Sequence, residues 1–177
     1  MEPLYDGCNP LNPALRYFEI LKSHIVLDYQ KKNVDYLKSL GIEAHHMPFG
    51  YHDSMDRCKP ADKDIDVLFF GCMHKRRLPV IEELKSAGVN VVAVSGCYGA
   101  DRDSLVSRSK IHINMHYRDD HPLEVVRLNY LLANQAFIVS ERGWDDEENA
   151  IYEDGLAFAS YQYLATTCIK YLSEDTK

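Results

Sequence analysis

Four short strand-like segments constrain the fold of this chain more than any other feature: the apolar runs Asp64–Phe70, Val89–Val94 and Ala136–Ser140, and Lys110–Met115, which alternates. Each is too short for a helix and is closed by turn-forming or polar residues. Between them lie helical patterns: a stretch with apolar Leu78, Ile81 and Leu84 that stops at Gly88, then Asp101–Ser109, then Pro122–Ala133. A last helix is predicted over Tyr161–Leu172. Strands that are apolar on both faces need helices on both sides, and strand–helix alternation at this spacing favours parallel βαβ units. The predicted fold is therefore α/β, a doubly wound, mostly parallel, Rossmann-like sheet forming a single domain.

The front of the chain is less regular. Cys8–Pro13 reads as a loop with two prolines, followed by a helix over Ala14–Lys22, a strand at Ile25–Leu27 and a helix over Tyr29–Leu40. Gly41 is placed to cap that helix at its C-terminus. A further strand is predicted at Ala44–Phe49, and the polar stretch Asp53–Lys63 reads as a linker. The expected organisation is an N-terminal segment, 1–63, packing on a Rossmann-like domain, 64–177.

Composition removes several classes of function. The 177 residues suit one ordinary domain, and 20 Lys+Arg against 27 Asp+Glu give a formal charge of −7, a balance unsuited to general nucleic-acid binding. No apolar run approaches the ~20 residues of a membrane span, and the first residues lack the pattern of a signal peptide, so a cytoplasmic location is expected. Five cysteines, never in a CxxC pair, signal neither a disulfide framework nor a zinc site.

In a sheet of this kind ligands bind beyond the carboxyl ends of the strands. Four segments fall there. In Gly71–Arg77, three consecutive cations, Lys75, Arg76 and Arg77, stand at the amino end of a helix. There they suit a bound phosphate or form a solvated basic turn compensated by Glu82 and Glu83. In Ser95–Asp103, Asp101 reads as an N-cap, while Tyr98 and Arg102 are left as binding candidates. In His116–Glu124, Glu124 either pairs with Arg127 on one helix face or accepts hydrogen bonds from sugar hydroxyls. His112, Asn114 and His116 share a strand face, and with Asp119, Asp120 and His121 they could be arranged as metal ligands, although no motif fixes that geometry. Glu141 closes the last strand as a hydroxyl acceptor or a surface carboxylate. His45, His46, Tyr161, Tyr163 and Tyr171 read as packing or surface.

The same segments carry a family resemblance. Asp66–Gly71 with its following basic residues resembles the first strand and loop of the C-terminal domain of GT-B glycosyltransferases. Tyr98–Leu105, Ser109–His116, Leu123–Asn134 and Phe137–Glu141 follow in the order of a glycosyltransferase-like subgroup. Val26–Tyr29, Asn33 and Pro48–Tyr51 are similar to its interdomain region, and Gly155–Phe158 with Tyr161 and Leu164 to its closing stretch. The resemblance implies a domain that cradles the nucleoside diphosphate of a UDP- or GDP-linked sugar, using no cofactor and no metal. By position Arg76 and Arg77 would face phosphate, and Glu124 and Glu141 ribose or sugar hydroxyls. Gly71, Lys75, Tyr98, His116 and Arg127 would complete the binding set. The positions matching the paired glutamates of retaining members are His121 and Asn129. The sugar acceptor is unknown, and a second copy or a partner chain would supply the acceptor-binding half. The alternative is a non-catalytic Rossmann-like interaction or regulatory module; a third reading is a metal enzyme built on His112, His116 and Asp119.

Overall fold

All four strand-like segments contribute parallel strands to one sheet. The computed structural model describes residues 14–119 and 121–174; the expected loop at Cys8–Pro13 lies outside them. The chain divides into two compact units, Met1–Gly50 and Tyr51–Lys177.

In the first unit α1 (Ala14–Leu21), β1 (Val26–Asp28), α2 (Lys31–Ser39) and β2 (Ala44–His46) follow in order. β1 and β2 pair in parallel, Val26 opposite Ala44 and Asp28 opposite His46. Val34, Leu37, Ile42 and Ala44 form the small core, with Phe18, Leu21 and Val26 against it. β1 is shifted by one residue from the predicted strand, leaving out Ile25 and taking in Asp28, and β2 is shorter than predicted, stopping before Met47.

The second unit contains β3 (Ile65–Phe70), α3 (Leu78–Ser86), β4 (Val91–Val94), α4 (Gly99–Arg108), β5 (Ser109–Asn114), α5 (Val125–Ala133), β6 (Ile138–Ser140), α6 (Asp146–Ile151), β7 (Ala157–Phe158) and α7 (Leu164–Glu174). The sheet runs β4-β3-β5-β6-β7, parallel at every pairing. Val67 stands opposite both Val91 and Ile111, and Asn114 opposite Ser140. One face buries Val67, Phe69, Ile111 and Ile113 against Val80, Ile81 and Leu84 of α3 and Leu164, Ala165 and Cys168 of α7. Burial in that layer pushes the Cys168 thiol up to about 12. On the other face α4 packs on β3 and β5. The doubly wound, Rossmann-like α/β fold is thus realised. Among the described residues no helix is long and apolar enough to cross a membrane.

The differences from expectation have local causes. α5 starts at Val125 rather than Pro122, because the Glu124 backbone (φ −80°, ψ 60°) leaves the helical region. Asp101 lies within the first turn of α4; the capping position is Tyr98, with no side-chain cap. Residues 161–163 form a separate 3₁₀ turn before α7. The stretch after Asp53 is no loose linker: Arg57 N and Cys58 N both donate to Asn134 Oδ1 at 2.8 Å, and Asn134 Nδ2 donates to Met55 O.

Helices α2, α3 and α5 end in one hydrogen-bond pattern, in which the second residue beyond the cap bonds back to the last turn: Ile42 N to Leu37 O, Val89 N to Leu84 O, Ala136 N to Leu131 O. Gly41 and Gly88 supply the required positive φ in the first two, but in the third Gln135 adopts φ 55°. That turn also consumes Ala136, so β6 begins at Ile138.

His112, on β5, is 1% exposed, and its Nδ1 donates to Phe137 O at 3.2 Å. Burial lowers its pKa to about 4, against 6.5 ordinarily. The folded state therefore holds His112 neutral where the unfolded chain would protonate it. The resulting stability is complete above pH 6.5 and is lost as pH falls towards 4. Urea unfolding between pH 7 and 4.5 is expected to reveal a loss on the order of 3 kcal/mol from this residue. His112→Gln should flatten that slope; an unchanged slope would refute the assignment.

Candidate functional site

The chain leaves β3 to one side for β4 and returns to the other side for β5, so the switch point of the sheet lies between the ends of β3 and β5. Gly71 terminates β3 with φ 149°. A Cβ there would lie 2.8 Å from Arg127 Nη2. The absent side chain is what lets Arg127 reach across from α5 and lie over Phe69 and Phe70, 5.7 and 5.5 Å from their ring centroids. Arg127 Nη1 donates to Asn114 Oδ1 at 2.8 Å and to Glu124 Oε2 at 2.5 Å. The i,i+3 pair anticipated from the sequence is therefore formed, but as one edge of a larger network.

Arg77 forms the other edge. It is 2% exposed, so it does not face solvent where a phosphate would arrive. Its Nε and Nη2 donate to Met115 O at 3.1 and 2.6 Å, Nη1 to Cys72 O at 2.6 Å, and Nη2 also to Glu124 Oε1 at 2.9 Å. Its guanidinium stands 5.0 Å from the Phe69 ring. Burial lowers the Arg77 pKa, with Glu124 opposing. Two arginines share Glu124, and the space at the switch point is filled by the chain's own groups.

Arg76 turns the other way. Nη1 and Nη2 donate to the two oxygens of Glu141, each at 2.7 Å, a bidentate fork. Its guanidinium lies 4.0 Å from the Tyr161 ring centroid, and the Tyr161 hydroxyl donates to Arg76 O at 2.6 Å. Nε donates to Asp119 Oδ1 at 2.6 Å. The two carboxylates differ in setting: the Glu141 side chain is 6% exposed, that of Asp119 87%. Glu141 and, behind it, Asp119 hold the Arg76 pKa above its ordinary value against desolvation.

The loops after β5 and β6 are clasped together. Glu141 Oε2 accepts from His116 N at 2.7 Å, Trp144 N donates to His121 O, and His116 Nε2 donates to Arg142 O at 2.8 Å. A Cβ on Gly143 would lie 2.6 Å from Leu123 N, so the two backbones touch. His116 Nδ1 is buried and without a hydrogen-bond partner among the described residues. Burial also lowers the His121 pKa.

The remaining sequence candidates are placed elsewhere. Lys75 is exposed, with no side-chain partner among the described residues. Tyr98 is 76% exposed beyond β4. Arg102 stacks 3.8 Å from the Tyr130 ring and pairs with Asp103, to which Tyr130 donates. His112, His116 and Asp119 are not assembled: their polar atoms go to Phe137 O, Arg142 O and Arg76 respectively. Among the described residues no group of three His, Cys, Asp or Glu side chains is disposed to hold a metal. Tyr161, read from the sequence as packing or surface, is the element that fixes Arg76. No local pattern announces this, because its partner lies 85 residues away.

Beside Arg76, at the ends of β6 and β7, Glu141, Arg142, Phe158, Ala159, Ser160 and Tyr161 line a cavity of about 350 Å³. A larger cavity, about 570 Å³, opens between Lys63, Lys110, Phe137 and Tyr171, around the entry to β6 and the end of α7. Of these two cavities the smaller adjoins the Arg76–Glu141 network, and we take it as the candidate site.

No family model matches the chain. Three uncharacterized proteins of Acanthamoeba polyphaga mimivirus are similar to it. The first is 27% identical over 170 residues, covering 89% of this chain and 55% of its own length. The second is 29% identical over 157 residues, covering 87% of this chain and 16% of itself. The third is 28% identical over 102 residues, covering 54% and 14%. The chain thus spans about half the length of the first relative and a much smaller share of the other two.

Proposed function

We propose that the Tyr51–Lys177 unit binds the nucleotide-sugar donor of a GT-B-like glycosyltransferase reaction, the acceptor being held by residues outside this unit. One observation carries the reading: Arg76 is pre-oriented at the sheet rim by buried Glu141 and the Tyr161 ring, beside a cavity of about 350 Å³. A guanidinium already fixed in place stabilises a developing diphosphate leaving group without reorganising at the moment of bond cleavage. In this reading Arg76 meets the phosphates and the cavity lined by Arg142, Phe158 and Ser160 receives the rest of the donor. Arg77, Arg127 and Glu124 serve as the frame beneath, and Glu141 positions Arg76 rather than contacting sugar hydroxyls.

Titration with UDP and with GDP is expected to raise the unfolding temperature, equivalent to about 2.7 kcal/mol at a hundredfold excess over Kd. Arg76→Lys, which keeps the charge but not the fork, should weaken binding at least tenfold while the unit stays folded by circular dichroism. If neither nucleotide produces a shift, the donor reading is wrong. A second reading, a non-catalytic Rossmann-like module, is favoured by the internal satisfaction of Arg77 and Arg127 at the switch point. It expects no response to any nucleotide.

A further inference from the structure

The geometry points to Asp119 as a built-in counterion that a ligand phosphoryl group displaces, so that an anionic ligand competes with this chain's own carboxylate for the Nε edge of Arg76. This inference rests on the donor reading above and names the group that sets its ligand class.

Three observations carry it. Arg76 offers its partners two edges. The Nη1/Nη2 edge is locked on Glu141, which is buried and also accepts from His116 N, so removing that carboxylate would take the acceptor from three donors at once. The Nε edge is occupied by Asp119 at 2.6 Å, and the Asp119 side chain is 87% exposed. A carboxylate so well hydrated gives up little on leaving, because an ion pair in contact with water is weak. The two carboxylates bound to one guanidinium thus differ in how readily they are exchanged. Finally, the Tyr161 ring lies against the Arg76 guanidinium and its hydroxyl donates to Arg76 O, so the guanidinium keeps its place whichever anion occupies Nε.

The exchange has a definite charge balance. With both carboxylates in place, Arg76 carries one positive charge against two negative ones. When Asp119 swings into water and a phosphoryl oxygen takes its position, the fork to Glu141 is kept. A neutral hydroxyl replacing Asp119 would exchange a hydrogen bond between two ions for one in which only the guanidinium is charged, and would not compete. Ligands without a phosphoryl group therefore leave Asp119 in place.

Calorimetric titration of the full chain with UDP, with inorganic pyrophosphate and with uridine tests the inference. The proteins to compare are the wild type, Asp119→Asn, Asp119→Ala and, as a control of equal charge change, Glu82→Gln on α3. Both Asp119 variants are expected to tighten UDP and pyrophosphate roughly two- to fivefold and to leave uridine unchanged. Glu82→Gln should leave all three unchanged. If the wild type binds UDP but the Asp119 variants bind it equally or more weakly, the counterion role is overturned and the donor reading stands. A gain that Glu82→Gln reproduces would reduce the effect to net charge and likewise overturn it. If neither wild type nor variants bind UDP or pyrophosphate, both fall.

Discussion

Glu141→Ala is expected to lower the unfolding free energy of the Tyr51–Lys177 unit by about 3–5 kcal/mol, the usual cost of removing one member of a buried ion pair. The carboxylate accepts three hydrogen bonds, from Arg76 Nη1, Arg76 Nη2 and His116 N. Its loss leaves a guanidinium whose side chain is only 14% exposed without its principal counterion, and a buried backbone amide without an acceptor. Asp119, almost wholly in solvent, does not replace it. Glu141→Gln should cost less, about 1–3 kcal/mol, because the amide oxygen still accepts one donor. Replacing the pair together, Arg76→Met with Glu141→Leu, should recover much of the loss, since no charge is then stranded. Urea unfolding of the wild type, Arg76→Met, Glu141→Leu and the double variant yields the coupling directly. A single-variant loss below about 1 kcal/mol would mean that the fork contributes no more than a surface pair.

Phe69→Ala is expected to cost about 3–5 kcal/mol by the same measurement. Phe69 is completely buried, near the end of β3, in the layer between the sheet and helices α3 and α7. It also floors the arginine frame: Arg77 and Arg127 stand 5.0 and 5.7 Å from its ring centroid. The substitution opens a cavity and removes the negative ring face from two cations at once. Phe69→Leu separates these effects. It restores part of the volume without the ring, so the deficit that remains sets an upper bound on the cation–ring contribution. If Leu matched the wild type, the frame would stand on its hydrogen bonds alone.

The sheet was legible in the sequence because β3, β4 and β6 read as nearly unbroken apolar runs and β5 alternates polar and apolar residues, both of them strand patterns. The two glycine-terminated helix ends were equally plain, since only glycine takes that backbone conformation without strain. What stayed hidden was polar or tertiary. α6 begins at a capping Asp145 and continues Asp-Glu-Glu-Asn, with Asn149 its one buried residue, so it has no apolar stripe to detect. Gln135 occupies a position where glycine is the expected signal. In the site, the cation run Lys75-Arg76-Arg77 was visible, but consecutive residues of one turn point in different directions, and only the fold decides which. Arg77 is turned inward by carbonyl oxygens of Cys72 and Met115, groups every residue possesses and no side-chain pattern marks. Asp119 was visible only as a possible metal ligand, and its engagement with Arg76 spans 43 residues.

The backbone approach of Gly143 to Leu123 has a practical corollary. Loops that merely neighbour one another can diversify separately, whereas these two leave no room for even a methyl group between them. Anyone grafting a new specificity onto this scaffold would have to transplant both as a single cassette, and libraries randomised in one loop alone would be dominated by misfolded members.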